Sequence, residues 1–234
     1  MVLMSQNAIP ASSEVAVTAV GPGRGPAAPP GDVAGRIAAR ALAKREADYA
    51  SEVRRLLDAA LELIGRNGTS ARPRVADIVA AAGLSNDAFY RHFPSKDALV
   101  AALVEDGTER LASYLAHQMG KEDEPTGQVR RWVEGVLAQA GGDVAATTVA
   151  VLWNGGSDQS GGRHDAAPTI GRLLVGPLQL LGSEEPELDA SLIAHAALGK
   201  VSECLSAGRS PTPTEVDHMV RFFLQGSGAP DRFS

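Results

Sequence analysis

The sequence predicts an all-α chain, a small N-terminal domain of three helices followed by a larger helical one. Three observations predict it. Apolar residues make up 44% of the 234 positions but aromatic residues only 4%, so the core is built from Ala, Leu and Val, and Ala and Leu favour helix while strands draw on aromatic and β-branched runs. Apolar residues recur at spacings of three and four along several segments, the period of one helix face. Two short helical stretches flank a glycine turn at residue 83, the pattern of a helix-turn-helix.

Residues 1–32 are expected to be a disordered extension, because GPGRGPAAPPG breaks helix and strand and supplies no core. Its GxG follows no strand and opens no helix, so it does not describe a phosphate loop. From Val33 to Ala50 the chain becomes helix-permissive and carries Arg36, Arg40, Lys44 and Arg45, a possible basic arm over 33–48. The first strong helix starts near Tyr49. Val53, Leu56, Leu57, Ala60, Leu61 and Ile64 form its apolar stripe, and Asn67-Gly68 ends it. Val75 to Ala82 is a second, short helix ending at Gly83. Ser85 caps a third, Asn86 to Phe93, which Pro94 stops. Ser95 caps a long fourth helix beginning Lys96-Asp97-Ala98-Leu99. Ile78, Ala82, Leu84, Phe89 and Phe93 are placed to share a core. That leaves Asn86, Asp87, Ala88, Arg91 and His92 outward, a set of donors and acceptors suited to base edges in a major groove.

Beyond about Asp106 the pattern continues in helices: the fourth through Leu115, one opening at Pro125, and an apolar stretch from Val144 to Trp153 expected to be a buried helix. A Gly-rich loop follows at 154–165. Next come an apolar segment from Ile170 to Leu181 kinked or split at Pro177, a helix from Leu188 to Leu205, and a closing helix from Thr214 to Leu224.

The formal charge of −6 is unevenly spread. Residues 33–104 carry 11 Lys/Arg against 8 Asp/Glu, whereas 105–234 carry 10 against 18. A mildly basic region beside an acidic one fits a chain of which only the first part meets a polyanion. The single Cys excludes a disulfide framework and a Cys-based zinc module within one chain. The first twenty residues lack a basic leader and a continuous apolar stretch, and Val144 to Ser157 is too short to cross a bilayer, so a cytoplasmic protein without membrane contact is expected.

The segment AAAGLSNDAFYRHFPSKDALVAAL resembles the DNA-binding domain of TetR-family transcriptional regulators. Gly83-Leu84-Ser85, Phe89-Tyr90, Phe93 and Ser95-Lys96-Asp97-Ala98-Leu99 carry the resemblance, which is specific over roughly Val53 to Leu103. The chain departs from the family pattern at Arg74, Val79, Asp87 and Ala88. The resemblance implies an N-terminal helix-turn-helix DNA-binding domain at 33–104 and a helical ligand-binding and dimerisation domain at 105–234. It implies a homodimer paired through the last two long helices, where Ala194, Ala197 and Gly199 would allow close packing. It implies a repressor on a palindromic double-stranded operator, released by a small-molecule effector. Tyr90, His92 and Lys96 would touch phosphates, and each of these side chains can donate to an anion. Asn86 and Arg91 are the candidates for base edges, with Asp87 and Ala88 beside them. The arm bearing Arg36 to Arg45 is either a solvated helix or a contact to DNA phosphates or the minor groove. Candidate effector-lining residues are Leu111, Tyr114, Trp132, Leu152, Trp153 and Asn154, each of which could equally be plain core. The other reading open to the sequence is a helical ligand-binding or protein-interaction module whose DNA-binding head has lost function.

Catalysis is not expected. Ser157, Ser160, His164 and Asp165 hold the atoms of a nucleophile, base and acid, but within nine residues of a Gly-rich loop and without a nucleophile elbow. His117, His195 and His218 show no metal-ligand spacing, so no metal or cofactor is expected. Cys204 is expected to be a small buried hydrophobe.

Overall fold

The computed structural model describes residues 33–154 and 166–226. The N-terminal extension and residues 155–165, including Ser157, Ser160, His164 and Asp165, lie outside the described residues. The chain forms two compact units, Met1–Glu46 and Ala47–Ser234. Of the first, the described part is the opening of α1. All regular elements among the described residues are helical.

Helix α1 runs without a break over Val33–Asn67. It starts well before Tyr49, where the apolar stripe suggested, because the Ala-rich stretch ahead of Tyr49 contains no residue after Gly35 that interrupts a helix. Gly68 ends it at φ 55°, and its N–H reaches the Ile64 carbonyl at 2.9 Å. Helix α2 spans Val75–Ala82 and α3 Asn86–His92. Between them Gly83 sits at φ 64°, a left-handed position where a side chain would be strained. Arg74, which caps α2, has no acceptor to offer. Asp77 compensates by taking the Arg74 backbone N–H at 3.1 Å, half of a capping box. Helix α3 is capped by Ser85 and α4, Lys96–Met119, by Ser95; each hydroxyl accepts from the backbone N–H three residues on, at 3.1 Å. Phe93 is extended, as the residue before a proline must be.

Two cores form in the second unit. One joins Leu56, Leu57, Ala60 and Ile64 of α1 with Ile78 and Ala82 of α2, Phe89 and Phe93, and Leu99, Val100 and Leu103 of α4. The other gathers Leu115 and Met119 of the same α4 with α5 (Pro125–Leu137) and the later helices. A helix of 24 residues is about 36 Å long, so α4 is long enough to seat one end in each core. Helices α4 and α5 approach closely at Gly135, where a Cβ would lie 2.5 Å from Leu115 Cδ2.

Helix α6, Gly142–Asn154, adds Ala150 and Val151 to the first core. It is not the fully buried helix its composition suggested: Val144 is 49% exposed and Trp153 39%. The segment after residue 165 is split into α7 (Ala166–Gly171), a 3₁₀ turn (Arg172–Leu174) and α8 (Val175–Leu180). The split lies just ahead of Pro177, which has no N–H for the Leu173 carbonyl. Helix α9, Pro186–Ser206, packs on α7 through small residues. A Cβ at Gly171 would meet the Ala190 carbonyl oxygen and the Ala194 Cβ, both at 3.1 Å. Ala194 and Ala197 are fully buried in the chain's own core rather than on an outer face, and the small size of Ala194 serves the contact with Gly171. Helix α10, Pro213–Gly226, opens with a complete capping box. Thr212 N–H donates to Glu215 at 2.9 Å and Glu215 N–H to Thr212 Oγ1 at 3.2 Å. No helix of the described residues is long and apolar enough to cross a membrane.

Candidate nucleic-acid interface

Six residues of α3 and Lys96 at the start of α4 carry the expected site. Asn86 and Asp87 open α3 and are exposed. Tyr90 is 59% exposed, its ring set edge-on against Phe89 at 5.2 Å. Arg91 extends into solvent with its guanidinium 3.8 Å from the Glu52 carboxylate. Lys96 is half-buried at the first position of α4. Two side chains do not face outward as expected. Ala88 is only 3% exposed and belongs to the packed side of the helix. The His92 side chain is 1% exposed.

His92 is held from α1. Its Nε2 lies 2.7 Å from Glu52 Oε2, and the ring meets Tyr49 edge-on at 4.3 Å. A carboxylate only accepts, so Nε2 carries the hydrogen. Nδ1 is buried and makes no hydrogen bond. The bond to His92, against a smaller desolvation effect and helped by the nearby Arg91, holds the Glu52 carboxyl below the usual carboxylate range. Glu52 thus touches both basic residues at the end of α3. A second tie fixes the turn before α3: the Arg55 guanidinium donates to the Ala82 carbonyl through Nε at 2.9 Å and to the Gly83 carbonyl at 2.9 Å. It satisfies the free carbonyls at the end of α2, which no α2 residue can reach. Neither Glu52 nor Arg55 is singled out by the sequence. Both sit on the polar side of α1, and nothing local marks a partner 27 to 40 residues away.

The candidate effector-lining residues are dispersed. Leu111 packs half-buried against the second core and Tyr114 is 47% exposed. Trp132 is fully buried, its indole N–H donating to the Ile170 carbonyl at 2.9 Å. Trp153 lies under the Arg72 guanidinium, 4.8 Å from its ring centroid, and its carbonyl accepts from Arg72 at 2.9 Å. Asn154 is buried and donates back to the Ala150 carbonyl at 2.8 Å. The Leu152 side chain lies outside the described residues. None of these residues lines either of two open clefts. One, about 400 Å³, is bounded by Gly68, Thr69, Ala146, Val149, buried Cys204 and Ser210. The other, about 520 Å³, lies between α9 and α10 beside Lys200, Glu215 and His218. Among the described residues no three His, Cys, Asp or Glu side chains are grouped to hold a metal.

Sequence comparison places residues 56–103 in the family described as bacterial regulatory proteins, tetR family. No curated protein matches the chain. Solved structures match its fold. A TetR transcriptional regulator from Rhodococcus sp. RHA1 aligns with a TM-score of 0.58 and 19% identity, over 80% of this chain and all of the other. RolR in complex with resorcinol aligns at 0.57 and 19%, over 79% and 91%. A TetR-family regulator from Pectobacterium atrosepticum aligns at 0.51 and 18%, over 77% and 92%. The chain shares the fold of solved TetR-family regulators, and its residues 56–103 match the sequence model of the bacterial regulatory proteins of the tetR family.

Proposed function

We propose that the chain is a cytoplasmic, dimeric repressor that reads a palindromic operator with α3 and leaves it when a small molecule binds the helical domain. The observation that carries this reading is the exposed edge of α3. Asn86, Asp87, Tyr90 and Arg91 stand in solvent on a helix whose other side is locked into the first core. In this reading Asn86 and Arg91 take base edges and Asp87 accepts from a cytosine amino group. Tyr90 and Lys96 donate to phosphates and fix register. Ala88 and His92 act from beneath, Ala88 by letting α3 lie close on its neighbours and His92 by tying the end of α3 to Glu52.

Dimerisation is supported by the apolar side chains that α9 and α10 leave outside. Leu188 is 52% exposed, Leu192 61% and Phe222 65%. One such small reading helix seldom supplies enough affinity, and a two-fold pair doubles it on two half-sites about one helical turn apart. RolR was solved with the small molecule resorcinol, which supports a small organic effector here without naming it.

Selection of duplexes from a random pool by the full chain tests the reading. The expected outcome is an inverted repeat with half-sites about 10 base pairs apart, centre to centre. Recovery of no preferred sequence, with no binding to duplex DNA at low salt, would favour a helical module whose DNA head is inactive.

A further inference from the structure

No residue of α1 ahead of Glu52 is buried. Every residue from Arg36 to Ser51 is exposed. Arg36, Arg40 and Lys44 are spaced by four and therefore share one face, a row that Asp48 continues four residues on, while Arg45 lies on another side of the helix. Most other arginines of the described chain are committed. Arg54 binds Asp106, Arg130 binds Asp217, Arg131 binds Glu122 and Arg209 binds Glu215. The four cations of this arm enter none of the ion pairs found among the described residues. A face of unpaired cations on an exposed helix is complementary to a dense polyanion.

We infer that this helical arm is a second DNA-binding surface, lying along the phosphate backbone of a duplex. This rests on the proposed DNA-binding function. The conformation narrows the mode. An α-helix with side chains is about 10–12 Å across, and the minor groove is about 6 Å wide. The arm therefore cannot thread the minor groove as an extended arm does; it meets phosphates from outside. A membrane surface is a poorer match. Val33 and Ile37 fall among Arg36, Arg40 and Lys44, and of the two large apolar side chains on the opposite side, Leu42 and Tyr49, the second packs on His92, which leaves little apolar face for an interfacial helix to bury.

The test compares the full-length chain with R36Q/R40Q/K44Q/R45Q, a set of substitutions that keeps helix-compatible residues at exposed positions. Binding to a random-sequence duplex of about 40 base pairs is measured across salt concentrations, with Lys96→Ala alongside. The arm predicts a log–log salt slope shallower by about 0.9 for each phosphate that the variant no longer neutralises, up to roughly 3.6 per arm. An unchanged slope in the fourfold variant overturns the inference. If Lys96→Ala still weakens binding in that case, only the arm assignment falls; if it too has no effect, the proposed function falls as well. Loss of binding to anionic vesicles with an unchanged DNA slope would assign the arm to membranes instead and equally overturn it.

Discussion

The helix-turn-helix and the helical body that follows it use similar apolar residues for their cores but differ in what they leave outside. Around α3 the polar side chains Asn86, Asp87, Tyr90 and Arg91 are exposed, while His92 and Arg55 are spent on holding the element in place. In the helical body the conspicuous side chains are absorbed by structure. Trp132 is core with a satisfied N–H, and Trp153 is covered by Arg72. A candidate readout surface is thus picked out by polar groups left in solvent, as Asn86, Asp87 and Tyr90 are. A pocket cannot be recognised from large apolar residues, because the core claims the same ones.

The largest effect should come from breaking the second region at its centre. Trp132→Ala removes a fully buried indole and leaves the Ile170 carbonyl unpaired. It should cost about 3–5 kcal/mol, visible as a large fall in melting temperature by calorimetry. If stability is retained, Trp132 is not the structural keystone described, and a ligand role for it gains ground. Next comes the tie that shapes the first region. Arg55→Ala strips the donors from the Ala82 and Gly83 carbonyls and should cost about 1–3 kcal/mol in denaturant unfolding. DNA affinity should fall further than that loss of stability explains, because the turn before α3 loosens. An Arg55→Ala variant with wild-type affinity would show that the turn holds without it.

The smallest effect concerns pH. Glu215 is bonded first to Arg209 and then to Lys200, and its carboxyl is held far below the usual carboxylate value of 4.5. A lowered folded-state value means the contribution is fully present above that ordinary value and is lost as pH falls toward the folded one. The wild type should therefore lose melting temperature below about pH 4.5 faster than Glu215→Gln does, by a margin reduced through solvent screening because the cluster is open to water. Parallel pH profiles would mean the cluster contributes nothing.

Legibility in the sequence follows the same division. Helix α2 is bounded by Pro73 and Gly83, and α3 and α4 by Ser85, Pro94 and Ser95, all local signals, so these elements can be placed residue by residue. The early start of α1 is not legible as a firm helix, because residues 33–48 have no buried stripe to mark a period. The depth of Ala88 and His92 is hidden as well. On a seven-residue helix the inward and outward faces are separated by one residue, and Tyr49 and Glu52, which cover His92, lie 40 positions or more upstream. Trp132 and Trp153 look alike in the sequence, and only packing separates a core residue from one stacked under an arginine.

In the proposed function exposed α3 side chains read base edges while Lys96 serves the backbone. The most direct measurement is the ratio of affinity for a selected operator to affinity for random duplex, in wild type, Arg91→Ala and Lys96→Ala. Arg91→Ala should lose about 1–3 kcal/mol on the operator and relax preference at one base position, leaving random DNA little changed. Lys96→Ala should weaken both duplexes alike and lower the salt slope by about 0.9. If Arg91→Ala instead weakens operator and random DNA equally, Arg91 is a phosphate clamp, and the assignment of base reading to this edge of α3 is contradicted.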